Sequence, residues 1–488
     1  MTSPAPAPAG WTPRLLLSFL SILCIVESVG FSFVASSTAL PSIIQHFQTT
    51  QGGWVLTAFA LVGAASAPLF GKLGDLYGKR QALLIALGLA AAGDVLAAVA
   101  PELWMLVLGQ VLHGCVAATL FLGYSLMRDV YPEKIVPFAA SVSITGAGVL
   151  SIGAPFLIGA LIDRYGFRSV YVFDLAWIVV MGLILLLTTP ESSLRSRAKI
   201  DLTGTVLIAV GLAALLLGIS KGSAWGWSSG RVVGLLVAGA VLLVVYILFS
   251  LRVAEPVLNL RAVVRPAILF AVLCGGVAYG LSPMNQTLMA LLAMTPHELG
   301  GSYGLGMTAS QYALLTAPLS LFSVCAGIAV GVLTRRIGAR VPMCVGLALY
   351  GVGALYLMFQ HAVFWQLLVG SVVLGTATGL CLAAMPNLII ASAPASEQAS
   401  MASAGELSAG LIGAITPIVA FAIMTPGAKS PAPGVLIYSN AGITTSFLVS
   451  ACIAAATLLI GAMLLRARNG RPDATLEPVP SEQDVLPA

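Results

Sequence analysis

The chain has 488 residues, of which 59% are hydrophobic and only 8% charged, with a mean hydropathy of +1.00 and a formal net charge of +5. A water-soluble domain carries about 25% charged residues, so this chain lacks the polar side chains to cover a solvated surface. Apolar runs of about 20 residues, the length of a membrane-crossing helix, recur along nearly all of it, and the composition excludes a soluble enzyme or nucleic-acid-binding protein in favour of an all-α polytopic membrane protein.

Fourteen apolar spans are predicted, in chain order 14–36, 54–70, 81–100, 104–126, 136–160, 169–188, 202–219, 231–251, 266–290, 311–333, 341–359, 364–391, 399–424 and 444–466. The first follows MTSPAPAPAGWT, which has no basic stretch, and reads as a retained signal-anchor. An even count puts both termini on one side. With that side cytoplasmic, 18 of the 23 Lys and Arg fall inside, leaving only Arg164, Arg168, Lys221, Arg231 and Lys429 outside, as the positive-inside rule requires. Residues 470–488, acidic and Pro-containing, read as a disordered cytoplasmic tail. The seven cysteines all lie in apolar runs without a CxxC pair, so neither a disulfide frame nor a metal site is expected. There is no GxxxxGK[ST] motif, which argues against nucleotide-driven work.

Ionisable groups within these spans are the first suspects for function, because a charge at the bilayer centre costs at least about 2.5–3.5 kcal/mol. Glu27 sits near the middle of span 1 and is a candidate for proton coupling. A helical projection gathers Ser18, Ser21, Ser28, Ser32 and Ser36 into one arc and points Glu27 away from it. If the serines face a cavity, Glu27 faces a neighbouring helix, so coupling and packing both remain open. Asp94, towards the outer end of span 3, is a coupling candidate or a locally paired acid. In span 4, Gln110, His113, Gly114, Ala117, Phe121 and Tyr124 share an arc and form the clearest candidate lining. His113 adds an imidazole that ordinarily titrates at about 6.5. Asp174, near the outer start of span 6, reads as interfacial. Span 9 offers Tyr279, Ser282 and Gln286 on one face, which suits an apolar or zwitterionic ligand or, equally, helix–helix contact. Glu406 shares a face of span 13 with Ser403, Gly410, Gly413 and Pro417, a position for a gate or for packing.

The loop between spans 2 and 3 reads GKLGDLYGKR (71–80). It has a weaker echo 260 residues on, GVLTRRIGAR (331–340), between spans 10 and 11. Both share G-x-L-x-x-x-x-G-x-R, including Arg80 and Arg340, with Arg336 inside the second copy. Parallel repeats of this kind place a substrate site between two halves. The first loop resembles the signature of the major facilitator superfamily, G-x-L-a-D-r-x-G-r-k, at Gly71, Leu73, Asp75, Gly78, Lys79 and Arg80. With the span count, the chain resembles the fourteen-span drug/proton antiporters over essentially its whole length. That resemblance implies a major facilitator fold: a six-helix bundle over 1–190, a linking hairpin over 191–260, a second six-helix bundle over 261–469, and the tail. It also implies that the 71–80 loop latches the halves in one state of the access cycle.

Three motifs depart from that family's pattern. SFVASSTALP (32–41) keeps Ala39, Leu40 and Pro41 of D-x-T-x-x-N-x-A-L-P but has Ser32 at the Asp. QVLHG has Gln110 and His113 at the Arg and Gln of R-x-x-Q-G. The span-5 motif, with Gly148, Gly153, Pro155 and Gly159, lacks two of the usual glycines, although GALIDRYGFRSVYVFD continues it with Asp163, Gly166 and Arg168 in place. The leading reading is a monomeric, proton-coupled secondary transporter in the cell membrane that exports amphipathic small molecules by alternating access, with no cofactor and no catalytic residue. A facilitator or uptake symporter for a small metabolite is the alternative; a membrane enzyme or receptor would need a catalytic cluster or soluble domain that the sequence does not offer.

Overall fold

The computed structural model describes residues 12–132, 135–192, 201–253, 256, 265–297, 303–392, 398–432 and 435–469. The predicted tail over 470–488, the surroundings of Gly148 and the side chain of Glu406 lie outside the described residues. Each predicted span falls on a helix. The first half comprises α1 (Pro13–Phe47), α2 (Gly53–Tyr77), α3 (Lys79–Val99), α4 (Leu103–His113), α5 (Thr119–Val130), α6 (Val136–Tyr165) and α7 (Arg168–Thr188). The hairpin α8 (Leu202–Trp225) and α9 (Gly230–Ser250) comes next. The second half comprises α10 (Pro266–Met294), α11 (Ala309–Ile337), α12 (Arg340–Phe359), α13 (Phe364–Ser392), α14 (Gln398–Met424) and α15 (Asn440–Asn469). Helices α4 and α5 are one span interrupted by a 3₁₀ turn at Gly114–Ala118. By length and apolarity, twelve described helices suffice to cross a membrane, or thirteen if the bent α2 counts as one span. The other predicted crossing, in α6, falls largely on residues whose side chains are outside the described set.

Local chemistry explains where the helices begin and end. Thr12 caps α1 by accepting from the Leu15 amide at 3.2 Å, and Pro13 occupies the first turn, where its missing N–H costs nothing. The helix then runs through Pro41 to Phe47, well past the predicted end at 36, and stops at Gln48 in a left-handed conformation, φ 49°. Gly78 ends α2 at φ 122°, and Gly338, its counterpart in the loop echo, ends α11 at φ 72°. Both conformations favour a residue without a Cβ, which accounts for that glycine of the repeated pattern.

Within the first half α3 packs on α4 and α7, and α1 on α5, α6 and α7; within the second, α10 packs on α13, α14 and α15. The halves meet where α2 lies on α14, α6 on α11 and α1 on α10, while α8 of the hairpin rests on α2 and α14. Burial follows this order: 78% of the apolar window of α10 is buried in the protein, against 17% for α9, whose valines and leucines form an outward apolar face. We call the end where α1 passes into α2 distal. There the 428–439 connection forms a small antiparallel hairpin, β1 (Lys429–Ala432) with β2 (Val435–Ile437), not foreseen from the sequence.

The 71–80 loop is anchored to its own half. The Glu191 carboxylate accepts from the amides of Arg80 and Gln81 at 2.9 and 3.0 Å, capping α3, and a Cβ on Gly78 would lie 2.5 Å from that carboxyl carbon. Arg80 also donates to the Thr189 carbonyl at 2.8 Å, and Lys79 pairs with Asp129, a buried acid that accepts from Ser192 as well. Gly71 lies against Phe121. Among the described residues no hydrogen bond or ion pair joins Asp75 to the second half, and Arg336 and Arg340 are exposed.

Candidate functional site

The polar centre of the first half is assembled by close helix contact. A Cβ on Gly93 would lie 2.4 Å from the Gly109 carbonyl oxygen and 2.6 Å from the His113 backbone nitrogen, and one on Gly109 would lie 2.7 Å from the Gly93 carbonyl oxygen. Glycines at both positions let α3 and α4 touch through their backbones, which sets Asp94 beside His113. From the other side α7 brings Tyr171 and Asp174, and α1 brings Ser32 and Ser36.

In this cluster His113 Nδ1 is 2.9 Å from Asp94 Oδ1, and His113 Nε2 is 3.5 Å from Asp174 Oδ2. The imidazole thus sits between two carboxylates, with the Ala90 carbonyl also against it and the Phe59 ring stacked on it at 5.7 Å. Ser32 donates to Asp174 Oδ2 and is itself 2.6 Å from the Ser28 carbonyl oxygen. Asp94, His113 and Asp174 are 1%, 1% and 3% exposed, and the gap between them is too small for a water molecule. Asp94 Oδ2, Gln110 Oε1 and Asp174 Oδ1 have no hydrogen-bond partner among the described residues.

Asp94, His113 and Asp174 are also the one group of three potential metal ligands drawn together among the described residues. Their geometry favours proton sharing. A metal takes one ring nitrogen at about 2.0–2.1 Å, whereas here each ring nitrogen faces a different carboxylate.

The structure divides the candidate residues read from the sequence. Ser28, Ser32, Gln110, His113 and Asp94 lie in or beside the buried cluster. The span-4 arc does not continue as one face. A 3₁₀ helix turns about 120° per residue rather than 100°, and five such residues rotate the remainder of the span by about 100°. Gln110 and His113 therefore face α1, α3 and α7, while Ala117 and Phe121 meet Gly63 and Gly71 of α2, and Tyr124 is 37% exposed. The serine face of α1 is turned inward. Ser18 bonds to Tyr131 and Thr189 at 2.9 and 2.7 Å, and all five serines are buried. Glu27 points the other way, half-buried, within electrostatic reach of Tyr124. In the second half Gln286 Nε2 donates to Ser282 Oγ at 2.9 Å, Tyr312 donates to the Gln286 carbonyl, and Tyr279 is part-buried on the same helix. In the span-5 motif Gly153 faces open space, Pro155 is buried and Gly159 packs on α11.

Asp174 is the member of the cluster that the sequence reading leaves at the interface. Its signal was present: it stands six residues into an apolar helix, and Ser32 occupies the position of a family Asp. Only the fold shows that the two are in contact.

The Major Facilitator Superfamily family model matches residues 22–202 and 289–486. A multidrug resistance protein, Stp, of Mycobacterium tuberculosis is 29% identical over 378 residues, covering 75% of this chain and 68% of that protein. A probable actinorhodin transporter of Streptomyces coelicolor is 26% identical over 355 residues, covering 69% of this chain and 60% of that protein, so the chain spans less than two thirds of that relative's length. Among solved structures, the POT family transporter PepTSo superposes with a TM-score of 0.66 over 95% of this chain and 100% of that chain at 14% identity, a likeness of fold alone. On the match of its sequence across both halves, the chain belongs to the Major Facilitator Superfamily.

Proposed function

We propose that this transporter exports amphipathic small molecules in exchange for protons, and that Asp94, His113 and Asp174 bind and release the coupling proton. The observation that carries this reading is the imidazole held between two buried carboxylates. Two carboxylates and one imidazolium would leave a net negative charge away from water, so a neutral cluster holds a proton on the imidazole and another on a carboxylate. A change of access that wets the cluster removes the reason for holding the second proton, and that proton leaves. Asp174 and Ser32 together replace the family's span-1 Asp: the hydroxyl at 32 bonds to a carboxylate supplied by α7.

Export is supported by the names of the two relatives, one a multidrug resistance protein and one a probable actinorhodin transporter. The uncharged polar face of α10 at Tyr279, Ser282 and Gln286 suits a largely apolar or zwitterionic substrate. The excess of cations over the predicted cytoplasmic segments supports an orientation with both termini inside and the distal end outside. Fourteen crossings, with two six-helix halves and a hairpin, belong to the same proposal. Glu27, on the opposite face of α1, is the competing coupling group.

The test is uptake of a fluorescent zwitterionic amphiphile into energised inside-out vesicles. Uptake that collapses when the pH gradient is dissipated, and that His113→Gln and Asp174→Asn lose at matched expression, is the expected result. Uptake that survives loss of the gradient would favour the facilitator alternative.

A further inference from the structure

The distal ends of the halves are joined by a helix cap supplied across the interface. At the start of α11, Gln311 donates its amide to Thr308 Oγ1 at 3.3 Å, and the Thr308 amide donates to Gln311 Oε1 at 3.0 Å. This box leaves the amides of Ala309 and Ser310 without partners in their own helix. Both donate to Asp163, at the end of α6 in the other half: Ala309 to Oδ1 and Ser310 to Oδ2, each at 2.9 Å. One turn earlier Gly159 permits the approach, since a Cβ there would lie 2.6 Å from Ser310 Cα and 2.7 Å from the Ala309 carbonyl oxygen.

We propose that Asp163 is the distal latch of the transport cycle, closing that side by capping α11 only while the halves are together. Two further contacts join the halves at the same end. The Gln45 side chain pairs with the Leu436 backbone, donating to its carbonyl at 2.6 Å and accepting from its amide at 2.8 Å, and Thr57 donates to the Ala414 carbonyl at 2.8 Å. Separation of rigid halves breaks all three together, whereas a merely local cap breaks alone. Burial works against ionisation of Asp163, but the bonds from Ser310, Thr308 and Ala309 outweigh it and hold its carboxyl below the usual range, so the latch is charged at neutral pH. The inference rests on the family's alternation between two states and is independent of which group carries the proton.

Hydrogen–deuterium exchange of the full chain in lipid nanodiscs tests it, because the latch amides are themselves the probes. Asp163→Asn removes the charge and keeps the shape. Ala309→Pro removes a donor from the other half. Proline suits this first helical position, and Thr308 already has the extended conformation, φ −72° and ψ 166°, that a following proline requires. The expected result is that exchange of the first turn of α11 and of the distant Leu436 amide rises together, by about two- to five-fold, in either variant. The double variant should go no further than the singles. Faster exchange confined to the α11 turn, with Leu436 unchanged, or full additivity in the double variant, would overturn the proposal. Should Ala309→Pro exchange rapidly throughout, including α3 and α12, the isosteric Asp163→Asn decides alone.

Discussion

Proton counting gives the sharpest test of the buried cluster. If it must be electrically neutral, the wild type carries one proton on a carboxylate and one on His113. His113→Gln leaves two carboxylates and no cation, so both take protons. Asp174→Asn leaves one carboxylate paired with the imidazolium and needs no carboxylate proton. The double variant needs one again. Each carboxylate proton held in the folded state but not the unfolded one lowers stability by about 1.36 kcal/mol per pH unit above about 3.9. His113→Gln should therefore be destabilised by about 3 kcal/mol at pH 6, where the unfolded chain still keeps most of its imidazole charged, and only about 1.5 kcal/mol at pH 5, before any loss of packing. Between those limits the slope of stability against pH should be twice the wild-type slope in His113→Gln, near zero in Asp174→Asn, and of wild-type size in the double variant. Thermal unfolding of purified protein at a series of pH values measures these slopes. A His113→Gln penalty that does not change with pH, or a double variant whose slope matches neither the count nor the wild type, would refute the charge-balance reasoning.

Other expectations rest on single contacts. Ser32→Asp restores the family residue but adds a third carboxylate beside Asp174, so it should steepen the fall in stability with rising pH by one further proton, read in the same unfolding series. Gly93→Ala puts a Cβ 2.4 Å from the Gly109 carbonyl oxygen, and because both neighbours are backbone it should cost about 1–3 kcal/mol in thermal unfolding and depress transport together with it. Lys79→Met removes the nearer cation from Asp129, whose side chain is 2% exposed but keeps Ser192 at 2.6 Å and Arg128 at 3.8 Å, and should cost about 1–3 kcal/mol, with Asp129→Asn in the same chain recovering much of it. For Asp163 the sign is that of a carboxyl held below its usual range. The latch is fully present above the ordinary carboxylate range and fails only as pH falls through its own lower value, so exchange at Leu436, corrected for the intrinsic pH dependence of exchange, should be flat from pH 5 to 8.

Hydropathy and charge made the fold legible because a bilayer leaves the chain few choices: apolar runs become helices, and cations sort by side. The loop echo was legible for the same local reason, since Gly78 and Gly338 both need positive φ. The site was half legible. His113 and Asp94 stood out as expensive residues in apolar helices, but their pairing depends on Gly93 and Gly109, whose role appears only when α3 meets α4. The orientation of α1 was not readable from a projection, which gives angles between residues without saying which face meets protein. The serines turned inward because Tyr131, Thr189 and Asp174 receive them, and Glu27 took the opposite side. The span-4 arc failed at Gly114–Ala118 because regular α-helical spacing was carried through a 3₁₀ turn. Asp163 was recognised as part of a motif, yet its partner is a helix start about 146 residues away, beyond the reach of any local pattern.

The most direct measurement is proton release from purified protein in weakly buffered detergent, read with a pH dye as an amphiphilic substrate is added. Wild type and Glu27→Gln should each release about one proton per chain, His113→Gln, which holds a proton on each carboxylate, about two, and Asp174→Asn none. Release that persists in Asp174→Asn and vanishes in Glu27→Gln would move proton coupling to the other face of α1 and leave the Asp–His–Asp cluster a structural one.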